Sequence, residues 1–342
     1  MAMLKHLPQD LACRYRIWKN HAKAFRAIGL DPIPVHVCFS RSSLLPHDGM
    51  FRRLDGGKFE LELTGMDPVW AARAARNKVP AYLYWFANCP DDIREMSICV
   101  SDGDRASTAL FAPSTADPET IAIPDPYFFN RHAFDDMRRV AGTSNVLWAQ
   151  RSGKLRWRGA TSGEGRYDFA GRAIMDPTVN LRLRLLMHAR RIDGLDACFV
   201  SAAWQTWLEN MLRHYGYWGD PIPEADWIND KFAIDIDGQT NTWSNFIARL
   251  HLGCCVLKVD SQFGYRQWYY DRIKPWEHFV PVKADMSDLA EKIDWARSND
   301  ARAEEIARNG QAFARTMTFE SETKAAVELI TNGVRSHALS TN

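Results

Sequence analysis

No stretch of this chain is apolar for the roughly twenty residues a bilayer demands, which excludes a spanning helix within it. The opening, MAMLKHLPQDLACRYRIWKN, lacks the apolar centre of a secretory signal. Charge of one sign is lacking too. There are 43 Lys and Arg against 42 Asp and Glu, for a net charge of +1. That balance excludes a nucleic-acid binder working through bulk charge and leaves only a local basic patch open. Cys-x-x-Cys is absent, and the seven cysteines are odd in number and lie mostly in apolar runs. They read as reduced core residues of a cytosolic protein, not as a disulfide framework or a zinc site. Neither Gly-x-Ser-x-Gly nor His-Glu-x-x-His occurs, so nothing supports a hydrolase. Gly-x-Gly-x-x-Gly and Walker patterns, internal repeats and low-complexity segments are also missing.

What is present is enough apolar material, 46% of 342 residues, for two domains. The thirteen tryptophans and ten tyrosines include rings able to stack on sugars, although filling core space is the better reading for any single one. Strands are expected over 34–39, 58–63, 95–100 and 154–157, and helices over 68–78 and 130–141. Residues 107–126, rich in Ser, Pro, Asp and Thr, read as an exposed loop. The tail reads as three helices: one capped by Asp285 or Ser287 with Leu289, Ile293 and Ala296 on one face, one over 301–315, and one over 319–332 stopped by Gly333. Alternating strands and helices in both halves imply two doubly wound α/β domains. The boundary falls near 142–153, giving domains 1–145 and 146–317 and a terminal helix with its tail, 318–342.

The most informative stretch begins at Lys231. Phe232, Ile234 and Ile236 alternate with polar or small residues, as in a strand. A polar loop, Asp237 to Thr242, follows, and Asn241 or Thr242 can cap a helix carrying Trp243, Phe246, Ile247 and Leu250. Gly253 ends that helix, and Cys254–Val259 is apolar enough for a buried parallel strand. The loop of this βαβ unit lies at a strand's carboxyl end and a helix's amino end, where backbone N–H groups and the helix dipole favour phosphate. Most such loops bind nothing, so the loop by itself is a weak signal.

Lys231-Phe232, Asp237-Gly238, Leu257-Lys258 and above all the string from Lys274 to Lys283, KPWEHFVPVK, make the chain resemble glycosyltransferase family 90. This family holds lipopolysaccharide- and capsule-modifying transferases related to animal protein O-glucosyltransferases. Asp285–Leu289 and Asn309–Ala314 continue the pattern, which covers the C-terminal half and reaches the N-terminal half only through short motifs. The resemblance implies a GT-B fold: two Rossmann-like domains with a cleft between them, the first facing the acceptor, the second holding a nucleotide sugar, and the last helix crossing back. It implies the bacterial-type, cytosolic branch rather than the secretory-pathway relatives.

Glycosyl transfer needs a base for the acceptor hydroxyl and positive or hydrogen-bonding groups for the departing diphosphate. Asp102, just past the strand Met96–Val100, matches the catalytic Asp that the resemblance implies, with Asp104 as its rival. On local sequence alone an Asx-turn carboxylate is the better reading of either. Trp157-Arg158-Gly159 resembles the family's aromatic-Arg-Gly motif, and Arg can clamp phosphate with two N–H bonds. Arg156 and Arg158 share a face if extended, so that one binds and the other forms a salt bridge. Ala160 and Thr161 follow, with Thr161 near the place of a second family Arg; Arg166 is an alternative there, though a solvated charge is its better reading. In the 237–245 loop, Asp237, Gly238, Thr240, Asn241, Trp243, Ser244 and Asn245 are the donor candidates, and Lys258 either reaches the donor or finishes a strand. Trp243 serves the core equally well. Trp276 and His278 are read as packing. Asp235 and Asp237 have Asp-x-Asp spacing, but on a strand one carboxylate faces structure. The expectation is therefore a metal-independent, inverting transferase without cofactor. Its partners are a UDP-sugar and a lipopolysaccharide or capsule glycan; a lipid-linked acceptor would bring it to the inner membrane, where the basic stretch Lys5–Arg26 could assist, although a plain solvated helix is the better reading of that stretch. The competing reading is a non-catalytic nucleotide-sugar or glycan binder with a decayed site. A polypeptide acceptor is a third.

Overall fold

The computed structural model describes residues 8–40, 45–65, 67–202 and 206–340. The chain forms two compact units. Unit 1 runs to Ala133 and regains Arg266–Trp268 and the chain from Thr318; unit 2 is Phe134–Tyr265 with Tyr269–Met317. This division corrects the expected boundary at 145. The helix after Ala133 belongs to unit 2, where Arg138 donates to the carbonyl of Met317 at 3.3 Å and Phe134 packs on His251, ring centroids 6.1 Å apart.

Unit 1 begins with α1 (Gln9–Ala27), β1 (Val35–Ser40), β2 (Asp48–Leu54), β3 (Lys58–Thr64), α2 (Pro68–Ala75) and α3 (Val79–Ala87). Then come β4 (Glu95–Cys99), β5 (Phe111–Ala112), β6 (Ile121–Ala122) and α4 (Pro126–Asn130). Its sheet has the order β1-β3-β2-β4-β5-β6. β2 is antiparallel to both neighbours, so this unit departs from a purely parallel, doubly wound sheet. The cause is local: Asp55-Gly56-Gly57 turns β2 into β3, with both glycines at positive φ of 73° and 70°. The supposed loop 107–126 supplies two of the six strands. Asp67 caps α2 by accepting from the Trp70 N–H at 3.0 Å, with Pro68 in the first turn.

Unit 2 holds α5 (Asp135–Thr143), β7 (Ser152–Ala160), α6 (Leu181–Ala189), β8 (Leu195–Ser201), α7 (Thr206–His214) and β9 (Asp230–Asp235). It continues with α8 (Asn245–His251), β10 (Cys255–Val259), β11 (Val280–Val282), α9 (Leu289–Ser298) and α10 (Asp300–Thr316). The sheet order is β11-β10-β9-β7-β8, every pair parallel. Burial on both faces explains the continuous apolar runs, all five residues of β10 being buried. Gly253, at φ 73°, closes α8 as expected. The last helix, α11 (Phe319–Ser340), packs in unit 1, where Ala326 and Ile330 join the core around Phe51, Leu61 and Trp85. It runs through Gly333 instead of stopping there. The two sheets with their helices are the α/β, GT-B-type architecture that the resemblance implies. No helix among the described residues is long and apolar enough to cross a membrane. All seven cysteines are free thiols, six of them buried.

Candidate functional site

β7 opens the parallel sheet of unit 2. The chain then adds β8 on one side of it and β9, β10 and β11 on the other. The direction of winding therefore reverses between β7 and β9, and the loops leaving the carboxyl ends of those two strands diverge. An open parallel sheet binds its ligands at that point. A pocket of this unit lies there, lined by Ser162, Gly163 and Glu164 after β7, by Asp237, Gly238 and Thr240 after β9, by Gln262 and Phe263 after β10, and by the start of α6.

Glycine makes the approach of the two loops feasible. Gly163 has φ of 115°, and a Cβ on it would lie 3.0 Å from the Gly238 carbonyl oxygen. A Cβ on Gly238 would lie 2.8 Å from both Ser162 Oγ and Arg182 Nη2. Among the described residues, no acceptor takes the backbone N–H groups of 162–164 or 238–240. The Thr240 hydroxyl is buried and likewise unpartnered. A pocket edged by unengaged N–H and O–H donors can hold an anion's oxygens.

Arg182, on α6, fixes both loops. It is 7% exposed, and its guanidinium donates to four acceptors on the two segments: Ala160 O at 3.0 Å, Ser162 Oγ at 2.7 Å, Asp237 O at 2.9 Å and Ile236 O at 3.3 Å. Burial lowers its pKa, and Asp237 and Asp235 oppose that. Asn180 caps α6, accepting from the N–H groups of Arg182 and Leu183 while its amide donates to the carbonyls of Gly163 and Glu164. Neither residue was singled out from the sequence. The available signals were Asn180 before an apolar run, and two arginines, Arg182 and Arg184, inside that run.

The Asp-x-Asp carboxylates are spoken for. Asp235 accepts from Lys258 Nζ at 2.8 Å and from Thr242 Oγ1 at 2.5 Å. Burial pushes the Lys258 ammonium down in pKa, but Asp235 and then Asp237 outweigh it and hold the group above its ordinary value. Lys258 thus lies among Asp235 and the rings of Phe246 and Tyr270, finishing β10 rather than lining the pocket. Asp237 is raised in pKa, chiefly by burial and against the pull of Lys258. Asn241 donates to the Tyr265 carbonyl at 3.2 Å and to the Tyr270 hydroxyl at 3.1 Å, holding the far end of the loop. Thr242 bonds Asp235 instead of capping α8, whose N-cap is Ser244 without a side-chain bond. Asn245 is the first helical residue, and Trp243 is half-buried at a left-handed φ of 35°.

The structure does not bring Arg156 and Arg158 to this pocket. They do share one face of β7, but both are taken: Arg156 binds Asp230 at 2.9 Å, and Arg158 binds the Asp196 carboxylate at 2.9 Å and the Asp220 carbonyl at 3.0 Å. Each meets the carboxylate of a neighbouring strand or loop before it meets solvent. Gly159 is required by its neighbour, since a Cβ would fall 2.3 Å from the Trp157 ring. Ala160 offers its carbonyl to Arg182, and Thr161 pairs with Ser201 across the strand ends. Arg166 is an exposed charge held by Asp176 at 2.6 Å and Asp168 at 3.0 Å. His278 accepts the Lys274 N–H at 2.9 Å and lies against Phe313, a packing role.

Asp102 belongs to unit 1. It follows β4, its side chain is 43% exposed, and Lys78 Nζ lies 2.8 Å from one of its oxygens. Its rival Asp104 is only 13% exposed at the side chain and is paired with Arg105 at 3.4 Å. Gly103 between them has φ of 90°, and a Cβ there would collide with the Ser114 carbonyl at 2.0 Å. Of the two carboxylates, Asp102 is thus the more exposed.

The chain is 33% identical over 263 residues to uncharacterized protein 035R of Invertebrate iridescent virus 3, a match covering 65% of this chain and 23% of that protein. It is 30% identical over 182 residues to protein O-glucosyltransferase 2 of Danio rerio, covering 53% and 32%, and 38% identical over 188 residues to protein O-glucosyltransferase 3 of Rattus norvegicus, covering 55% and 32%. The chain therefore spans a third or less of the length of these relatives. Residues 133–324, more than half of the chain and all of unit 2, match the profile described as glycosyl transferase family 90, and the chain belongs to that family.

Proposed function

We propose that this protein is a glycosyltransferase that moves a sugar from a UDP-sugar to a hydroxyl of a lipopolysaccharide or capsule glycan, without a metal and with inversion. The observation that carries the reading is the pair of glycine turns at the winding reversal of unit 2, with N–H groups that no protein acceptor takes. In the reaction, the acceptor oxygen gives its proton to the Asp102 carboxylate and bonds to the anomeric carbon. The bond from that carbon to the diphosphate oxygen breaks, and UDP leaves with the electron pair. The N–H groups of 162–164 and 238–240 and the hydroxyls of Ser162 and Thr240 meet the charge growing on the diphosphate. Arg182, which also lines the pocket, supplies positive charge behind them, with four of its five N–H bonds engaged by the two loops. Lys78, paired to one oxygen of Asp102, orients the carboxylate so that the other oxygen receives the proton. A lipid-linked acceptor would place the reaction at a membrane surface, on its cytoplasmic side.

A second reading keeps the chemistry and changes the acceptor to a polypeptide hydroxyl. The names of the Danio rerio and Rattus norvegicus relatives favour it.

The test is a panel of UDP-sugars with glycan and polypeptide acceptors, with and without EDTA, on the native protein and on Asp102→Asn. Turnover that resists EDTA and falls at least a hundred-fold in Asp102→Asn, roughly the contribution of one general base, with UDP affinity unchanged, supports the mechanism. The productive acceptor decides between the two readings. UDP binding without turnover for any pair sinks the transferase and leaves a binding protein. Turnover untouched by Asp102→Asn keeps the enzyme and removes its base.

A further inference from the structure

We infer that the outer face of α1 docks this protein on an anionic lipid surface. Leu11, Tyr15 and Trp18 stand out from this helix, 45%, 41% and 50% exposed. Their spacing of four and three residues puts them on one stripe, and the rings of Tyr15 and Trp18 lie 6.1 Å apart. Cys13, Ile17 and His21, off this stripe, are buried, and towards the C-terminal end the stripe itself turns inward at Ala22 and Phe25, so the exposed face is that of the first half of α1. Beside the exposed stripe run Lys19, Lys23 and Arg26, all exposed, with Arg16 further round. Within α1, five basic residues, Arg14, Arg16, Lys19, Lys23 and Arg26, stand against one acid, Asp10, a net +4. The whole chain carries only +1, so the helix stands against a remainder of net −3. Lys5 lies outside the described residues and is not needed for the count.

The chemistry of the face selects its occupant. Tyr and Trp prefer the boundary between headgroups and acyl chains, where the ring is in apolar surroundings and its polar atom stays wet. Basic side chains beside them gain from an anionic leaflet. An acidic protein partner would satisfy the cations and leave the three apolar side chains unused. A stable protein interface wants about 800 Å² per partner, which three side chains on one helix do not supply. A lipid surface has no such minimum. The inference deepens the membrane-surface location of the proposed function and rests on it for its purpose, but lipid binding is read without turnover.

The experiment is cosedimentation of the whole protein with vesicles of phosphatidylcholine alone and of phosphatidylcholine with phosphatidylglycerol. The expected result is binding to the anionic vesicles only, reversed by high salt. Lys19→Gln with Lys23→Gln should weaken that binding roughly thirty-fold. Tyr15→Ser with Trp18→Ser should weaken it roughly ten-fold or more, with salt dependence kept. Circular dichroism and UDP affinity should be unchanged in both. No binding to either vesicle, equal binding to both, or variants that bind like the native chain would overturn the inference. So would a dimer in solution that Tyr15→Ser with Trp18→Ser dissolves, since the stripe would then belong to a second copy. Vesicle binding without UDP binding keeps the docking face and sinks the transferase; turnover without vesicle binding does the reverse.

Discussion

At the scale of single residues, two buried ionisable groups carry sharp expectations. Lys258 holds Asp235 and balances Asp237 beneath the 237–242 loop. Lys258→Met would take from the buried Asp235 the one cation bonded to it, with Arg182 acting on both carboxylates only through space, a loss expected to cost about 3–5 kcal/mol. Lys258→Met combined with Asp235→Leu should recover much of that. Urea midpoints of the four proteins measure it, and a double variant no better than Lys258→Met would show that the pair is not the cause. Asp125 is fully buried, caps α4 through the Phe128 N–H at 2.9 Å and accepts from Gln267 at 2.8 Å. Burial pushes its pKa up to about 7. The sign follows from linkage. Below about pH 4 both folded and unfolded chains hold the proton; between about 4 and 7 only the folded chain does, so its stabilising contribution fades as pH rises through that window. At ~1.4 kcal/mol per unit the change is on the order of 4 kcal/mol at most. Asp125→Asn, which can still cap α4, should flatten the melting temperature between pH 5 and pH 8 relative to the native chain.

At the scale of elements, close approach explains what local propensity does not. Gly333 looks like a helix stop, yet α11 continues to Ser340. The glycine is there because a Cβ would lie 2.6 Å from Ile121 Cδ1 and 2.9 Å from the Phe111 ring. Gly333→Ala should therefore lower stability by about 1–3 kcal/mol from overpacking, although Ala is the better helix former by about 1 kcal/mol. A melting temperature that rises would refute this. The same distinction runs through the other elements. The strand period exposed β9, and a continuous apolar run, which reflects burial on both faces, exposed β10. β2 went unread, although Asp55-Gly56-Gly57 between two strand-like runs is a hairpin signal. β5 and β6 are two residues each, too short for any period; β5 pairs along the edge of β4, and β6 along β5.

At the scale of the whole molecule, unit 1 is discontinuous in sequence. Its core needs Ala326 and Ile330 of α11, some two hundred residues beyond its other strands. Removing residues 319–342 should expose the protein between Val35 and Ala112 to proteolysis and hydrogen exchange while peptides of the unit 2 sheet, from Leu155 to Val259, keep their protection. Equal loss in both would mean that the units do not hold separately. The sequence by itself determined the α/β class, the βαβ unit at 230–259 and the family, because periodicity and a ten-residue signature are local and survive without contacts. It also placed Gly238 and Thr240 at the pocket, since a loop between strand and helix is fixed by its flanks. Only the tertiary structure decided that Arg182, not Arg158, braces that pocket. Arg182 meets the Asp237 carbonyl across 55 residues, and Arg158 meets Asp196 across 38. Which acceptor a long side chain finds depends on strand order, and strand order is set by packing that no local stretch encodes.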